Sequence, residues 1–109
     1  MPPTTTIDPD QPVVTLINVF TVEPGDQQRL IERWQQATEQ VLRHLPGFVS
    51  ANLHRSLDGT KVINYAQWTS QEAFTAILQH PTAAPHLKEL SEIGTAAPVL
   101  CDVVSVHHA

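Results

Sequence analysis

Residues 61–70 read KVINYAQWTS, a strand running straight into a helix start. Side chains alternate across a strand, so Val62, Asn64, Ala66 and Trp68 share one face while Ile63, Tyr65 and Gln67 share the other. Thr69, with Glu72 three residues later, matches a capping box that opens the helix. An amide and an indole thus lie on one side of an otherwise apolar strand. Once buried, such groups are either satisfied within the protein or offered to something bound.

Upstream, residues 13–22 (VVTLINVFTV) form a second β-branched strand, with Val14, Leu16, Asn18, Phe20 and Val22 on one face. Pro24 and Asp26 then start a long amphipathic helix carrying Leu30, Ile31, Trp34, Ala37, Val41, Leu42 and Leu45, ended by Pro46-Gly47. Residues 48–57 alternate Val49, Ala51 and Leu53 against Ser50, Asn52 and His54, as an edge strand would. Asp58-Gly59 signals a hairpin into the organising strand. Downstream, one helix carries Ala73, Phe74, Ile77 and Leu78 inward until His80-Pro81 interrupts it. A further helix over residues 82–93 presents Ala84, Leu87, Leu90 and Ile93, and Pro98 introduces a last strand over residues 99–106.

Strand, helix, strand, strand, helix, strand is an α+β order, the ferredoxin-like split βαβ arrangement with an antiparallel sheet. Right-handed crossovers place the first and third strands at the centre and the helices on one face. Asn18 therefore neighbours the Asn64/Trp68 pair. Residues 1–12, rich in Pro, Thr and Asp, read as a flexible tail that packs little, and residues 13–109 as a single domain. The sheet's other face carries Val13, Ile17, Val19, Ile63, Tyr65, Val99 and Val103, for which a second copy of the chain is the natural cover. A homodimer packed sheet to sheet follows.

Composition narrows the function. The 109 residues are 41 % apolar and 16 % charged with a formal net charge of −5, and six Lys and Arg are scattered singly. Nucleic acid and anionic membranes are poor partners for such a surface, and a small, weakly polar ligand suits it better. Neither a signal peptide nor a bilayer-length apolar run is written here, so a cytoplasmic location is expected. The single cysteine, Cys101, forms no disulfide framework and reads as a small apolar core filler. No Cys/His spacing resembles a metal site, and His80 and His86, six apart across two prolines, make no helical ligand pair. The four glycines form no phosphate-binding loop.

The segments TLINVFTVEPG, LPGFVSANLHRSLDGTKVINYAQWTSQEAF and HLKEL, in that order, resemble the antibiotic biosynthesis monooxygenase family, and NYAQW resembles its quinone-forming members. The resemblance implies a dimeric α+β barrel. It also implies a cofactor-independent monooxygenase that oxidises an anthrone- or hydroquinone-like polyketide to a quinone with molecular oxygen as co-substrate, needing neither flavin nor metal. By the same resemblance, Asn18, Asn64 and Trp68 occupy cavity positions, and Lys88 stands where a related enzyme has a functional Arg. Phe74 stands where a family member carries a Tyr proposed to be catalytic. Phenyl transfers no proton, so water, Lys88 or His86 would take that part.

The chemistry fits those residue types. Amide donors from Asn18 and Asn64 favour the charge that develops on a substrate oxygen during deprotonation. The Trp68 N–H can donate to a peroxide, and its ring is a flat wall. Trp34, Phe74 and His86 are the expected substrate contacts, and Lys88 would reach the cavity mouth by its long stem. Each residue also has a packing role open to it. Trp68, Trp34 and Phe74 are core aromatics, Asn18 bonds to Asn64 across the strand pair, and Lys88 is a solvated helix residue. A haem-degrading relative would use a strand Asn, a helix Trp and a helix His, and Asn18 and His86 fit while Ile77 does not supply the Trp. A dimeric module that binds a small ligand without catalysis is the other alternative.

Overall fold

The computed structural model describes residues 2–109. Strands β1 (Val14–Thr21), β2 (Phe48–Arg55), β3 (Lys61–Trp68) and β4 (Thr95–Cys101) form one antiparallel sheet in the order β2-β3-β1-β4. Helices α1 (Gln27–Gln40), α2 (Gln71–Ala76) and α3 (Ala83–Ile93) join them. This is the expected split βαβ topology, with β1 and β3 central. All three helices lie on the face bearing Leu16, Phe20, Val62, Ala66 and Trp68, because their apolar stripes have no other surface to cover.

The core divides in two along the sheet. One cluster gathers Phe20, Val22, Leu30, Ile31, Trp34, Val62 and Leu90 beneath α1 and α3. The other gathers Leu16, Val41, Leu42, Ala66, Trp68, Ile77 and Ala83, with Leu45, Phe48, Ala73 and Phe74 packed against it. Leu87 touches both.

Several local expectations are corrected. Ser70, not Thr69, caps α2: its hydroxyl accepts from the Ala73 amide at 3.0 Å, since Ser70 has the extended backbone a cap requires. A register shift between Phe48 and Ser50 turns Phe48 onto the helix face opposite Trp68 and leaves Val49 exposed. Leu78 is 58 % exposed, because α2 passes into a single 3₁₀ turn (Ile77–Gln79) that keeps only Ile77 inside. The last strand starts before Pro98, which sits in the ladder opposite Asn18. Proline is admitted there because β4 is an edge strand. Strand pairing stops at Cys101, which is half-buried at that edge rather than in the core.

The hairpin loop after Arg55 is held by its own side chains. Asp58 accepts from the Ser56 and Thr60 hydroxyls, both at 2.7 Å, and from the Thr60 amide at 3.0 Å, while Gly59 takes φ +80°. Gln27 Nε2 donates to the carbonyls of Ser56 (3.1 Å) and Lys61 (2.9 Å), tying the start of α1 to this loop.

The head packs more than its composition indicated. Gln67, buried on the outer face of β3, accepts from the Ser50 hydroxyl at 2.7 Å and donates to the Thr6 carbonyl at 2.8 Å, and Thr5 donates to Asn52. Part of the face assigned to a second copy is thus covered by the chain's own first residues.

Candidate active site

Asn18 and Asn64 are direct partners in the β1–β3 ladder and face the helices at the seam between the two core clusters. The residues flanking them in the same row are Leu53 and Pro98. Among the described residues no hydrogen bond joins the two amides, so the mutual pairing allowed by the sequence is not made. Instead Asn64 Oδ1 accepts from the Asn52 backbone N–H at 3.2 Å. That contact fixes the amide's orientation, since a backbone N–H needs an oxygen opposite it, and it leaves the Asn64 NH₂ group as a free donor. Asn64 is 5 % exposed.

Trp68 lies on the same face four residues further along β3, about 13 Å away in Cα terms. Its ring is packed between Phe48, edge-on with centroids 5.4 Å apart, and Phe74, tilted at 6.2 Å. The row between the amides and the indole carries Ala51, Ala66, Leu16 and Leu100, and Ala66 and Leu16 are buried there beneath Val41 and Leu42. Two polar atoms of this region are buried with no hydrogen-bond partner among the described residues, namely Asn18 Oδ1 and Trp68 Nε1. Each such orphan costs roughly 1–3 kcal/mol. Gln11 Oε1 and, on the outer face, Thr15 Oγ1 are partnerless as well, so the helix face holds two of the four such atoms among the described residues.

The other expected contacts divide. Phe74, half-buried, joins the Trp68 cluster. Trp34 is buried in the opposite cluster, edge-on to Phe20 at 4.6 Å, as a packing residue beyond the amides. His86 is half-buried on the flank of the α3 stripe. Lys88 is exposed, about 100° round α3 from Leu87, and is not brought to the amides. Among the described residues no group of His, Cys, Asp and Glu is arranged to hold a metal ion, and no helix is long and apolar enough to cross a membrane.

Beside the indole an open apolar cleft of about 330 Å³ is lined by Leu45, Pro46, Gly47, Thr69, Ala73, Ala76, Ile77 and His80. Leu45, Ala73 and Ile77 also pack in the Trp68 cluster, so cleft and indole share walls. Sequence reasoning missed His80 here. Its Nδ1 accepts from the backbone amides of Thr82 (3.1 Å) and Ala83 (3.2 Å), capping α3. The His-Pro-Thr break was legible only as a helix stop.

The family model for antibiotic biosynthesis monooxygenases matches residues 13–89. The chain belongs to the antibiotic biosynthesis monooxygenase family. It is 43 % identical over 98 residues to the tetracenomycin-F1 monooxygenase of Streptomyces glaucescens, a match covering 90 % of this chain and 88 % of that protein. Among solved structures, the ActVA-Orf6 monooxygenase of Streptomyces coelicolor, in complex with nanaomycin D, superposes with a TM-score of 0.77 at 30 % identity, covering 94 % and 96 % of the two chains. SnoaB, a cofactor-independent oxygenase from Streptomyces nogalater, gives a TM-score of 0.69 at 27 % identity over 88 % and 97 %. The α+β ferredoxin-like fold inferred from element order is the fold these relatives share.

Proposed function

We propose that this member of the family is a cofactor-independent monooxygenase that oxidises an anthrone- or hydroquinone-type aromatic polyketide to a quinone, with molecular oxygen as the only co-reactant. The observation that carries the reading is the oriented NH₂ of Asn64, with the partnerless Asn18 Oδ1 opposite it in the ladder and the partnerless Trp68 N–H about 13 Å along the same face. The names of its relatives set the reaction class.

In the proposed sequence, since Ala66 is buried in the packed cluster between the amide pair and the indole, the aromatic skeleton enters there by parting the helices from the sheet. Its phenolate or enolate oxygen accepts from Asn64 Nδ2, with Asn18 turning its own NH₂ to the same oxygen. Both donors stabilise the anion left when a ring CH₂ gives up a proton. The anion passes one electron to O₂, and recombination of the two radicals forms a carbon–peroxide bond. The Trp68 N–H donates to that peroxide and favours loss of water, which leaves the new carbonyl. One oxygen atom thus enters the product and the other leaves as water. Phe74 and the Trp68 ring hold the skeleton flat. Lys88 is left out of this scheme by its exposure, and the half-buried His86 on α3 is the residue assigned to carry the released proton to solvent.

Oxygen uptake tests this reading. Metal-stripped protein mixed with dithranol is expected to consume O₂ above the spontaneous rate, with Asn64→Ala and Trp68→Phe each lowering the rate by about 10- to 100-fold. Uptake at the background rate in all three samples would remove the assignment for this substrate class, and abolition by EDTA would remove the cofactor-free mechanism.

The remaining apolar part of the outer sheet face supports a homodimer. Ile17, Val19, Ile63 and Tyr65 are only partly covered, and Val99 is 56 % exposed.

A further inference from the structure

His80 is placed unlike the other histidines of the chain. It lines the apolar cleft of about 330 Å³ that shares Leu45, Ala73 and Ile77 with the Trp68 cluster. Its Nδ1 is already taken by two backbone donors, the amides of Thr82 and Ala83, at 3.1 and 3.2 Å. With Nδ1 engaged as an acceptor, the nitrogen left for a guest is Nε2, the donor of that tautomer. Any hydrogen bond this ring offers a guest is therefore a donated one, from a fixed position. The helix it caps and the turn Leu45–Gly47 hold the ring and the opposite wall, and the cleft volume falls at the lower end of small-ligand sites, roughly 300–1,000 Å³.

We infer that His80 is a substrate-orienting residue: the cleft alongside the contact of the Leu45–Gly47 turn with α2 receives one end of a fused aromatic ligand, and His80 Nε2–H donates to an oxygen carried on that end. The inference deepens the oxygenase reading and rests on it for the identity of the ligand. The occupant is a phenol or aryl ketone rather than a hydrocarbon, because the ring supplies a donor and the remaining lining is mainly apolar. In this arrangement the oxygen at His80 sets which ring carbon faces Trp68, so His80 governs where oxygen is inserted while taking no part in bond making.

The two jobs of the ring are separable. In His80→Asn the short side chain can still accept from the Thr82 amide as an Asx turn, but it has no distal donor. His80→Ala loses both. Binding of 1-naphthol and of naphthalene, which differ by one oxygen, is measured by calorimetry on the full chain, and the imidazole nitrogens of the wild type are followed by NMR during the naphthol titration. The expected result is that His80→Asn keeps the wild-type melting temperature, binds 1-naphthol about three- to tenfold more weakly, and binds naphthalene as the wild type does. The Nε2 resonance of His80 moves on adding naphthol, and that of His86 does not. Equal losses for both ligands, or an unmoved His80 Nε2 signal, would overturn the role, and the NMR arm decides even if the variants unfold. Naphthol binding that depends on His80 in a protein without oxygen uptake would fell the oxygenase reading and leave His80's role standing.

Discussion

Asn18 is worth more to the reaction than to the fold. Its amide oxygen is buried without a partner, whereas a leucine of similar size would leave nothing unsatisfied. Asn18→Leu is therefore expected to raise stability by about 1 kcal/mol in urea denaturation. The same variant should lose at least about tenfold in oxygen uptake with an anthrone. A variant that is both less stable and fully active would mean that the amide serves packing alone. Asp58 makes the opposite case, a polar residue serving structure. Hydrogen bonds from the Thr60 and Ser56 hydroxyls and the Thr60 amide hold its carboxyl below the ordinary 3.8, at about 2. A depressed folded-state value contributes stability that is complete above the unfolded value and is lost as pH falls toward the folded one. The melting temperature should fall between about pH 4 and pH 2, and Asp58→Asn should flatten that part of the profile. Strand alternation and the split βαβ order placed Asn18 on the strand beside Asn64, and the structure makes the two direct ladder partners. What alternation could not reveal was which amide atom is engaged. That depends on the Asn52 backbone N–H, brought in by a strand paired at a register shifted near its start.

The elements differ in how far local chemistry decided them. Gly59 adopts the positive φ that Asp-Gly predicted, and α1 buries the expected Leu30, Ile31, Trp34 and Ala37. The start of α2 was misread by one residue, because Thr69 and Ser70 are equivalent caps on paper. The structure chooses Ser70, since the Thr69 amide is spent on the Gly47 carbonyl at 2.8 Å, which fixes where the chain leaves the sheet. Ser70→Ala should cost about 1 kcal/mol, a fall in melting temperature of about 4–8 °C, while Thr69→Ala costs less. Equal losses in calorimetry would return the cap to Thr69. Gly47 itself takes φ +85°, and a Cβ there would stand 2.4 Å from the Ala73 Cβ, so the turn and α2 are built to touch. No sequence pattern announces such a contact, because its partners are twenty-six residues apart.

For the whole molecule, the split βαβ order was readable from hydrophobic periodicity, and the cover of the outer sheet face was readable only in part. Apolar strands on both faces call for a cover, but the hydrogen bonds of Thr5 and Thr6 to Asn52 and Gln67 show that the chain supplies some of it from its own start. The rest is expected to be closed by a second copy. Sedimentation should then give a dimer at micromolar concentration, and Val99→Lys, at a position already 56 % exposed, should shift it to monomer without lowering the monomer's stability. A wild-type chain that sediments as a monomer would exclude the dimer.

Pro98 bears on how such copies can meet. A proline in the outermost strand interrupts the row of backbone donors that an incoming strand would need. Growth of one sheet into the next, the route by which open edges recruit their own kind into fibres, is blocked at that point. Self-association is thereby steered toward broad faces, where side chains rather than main chain decide who fits.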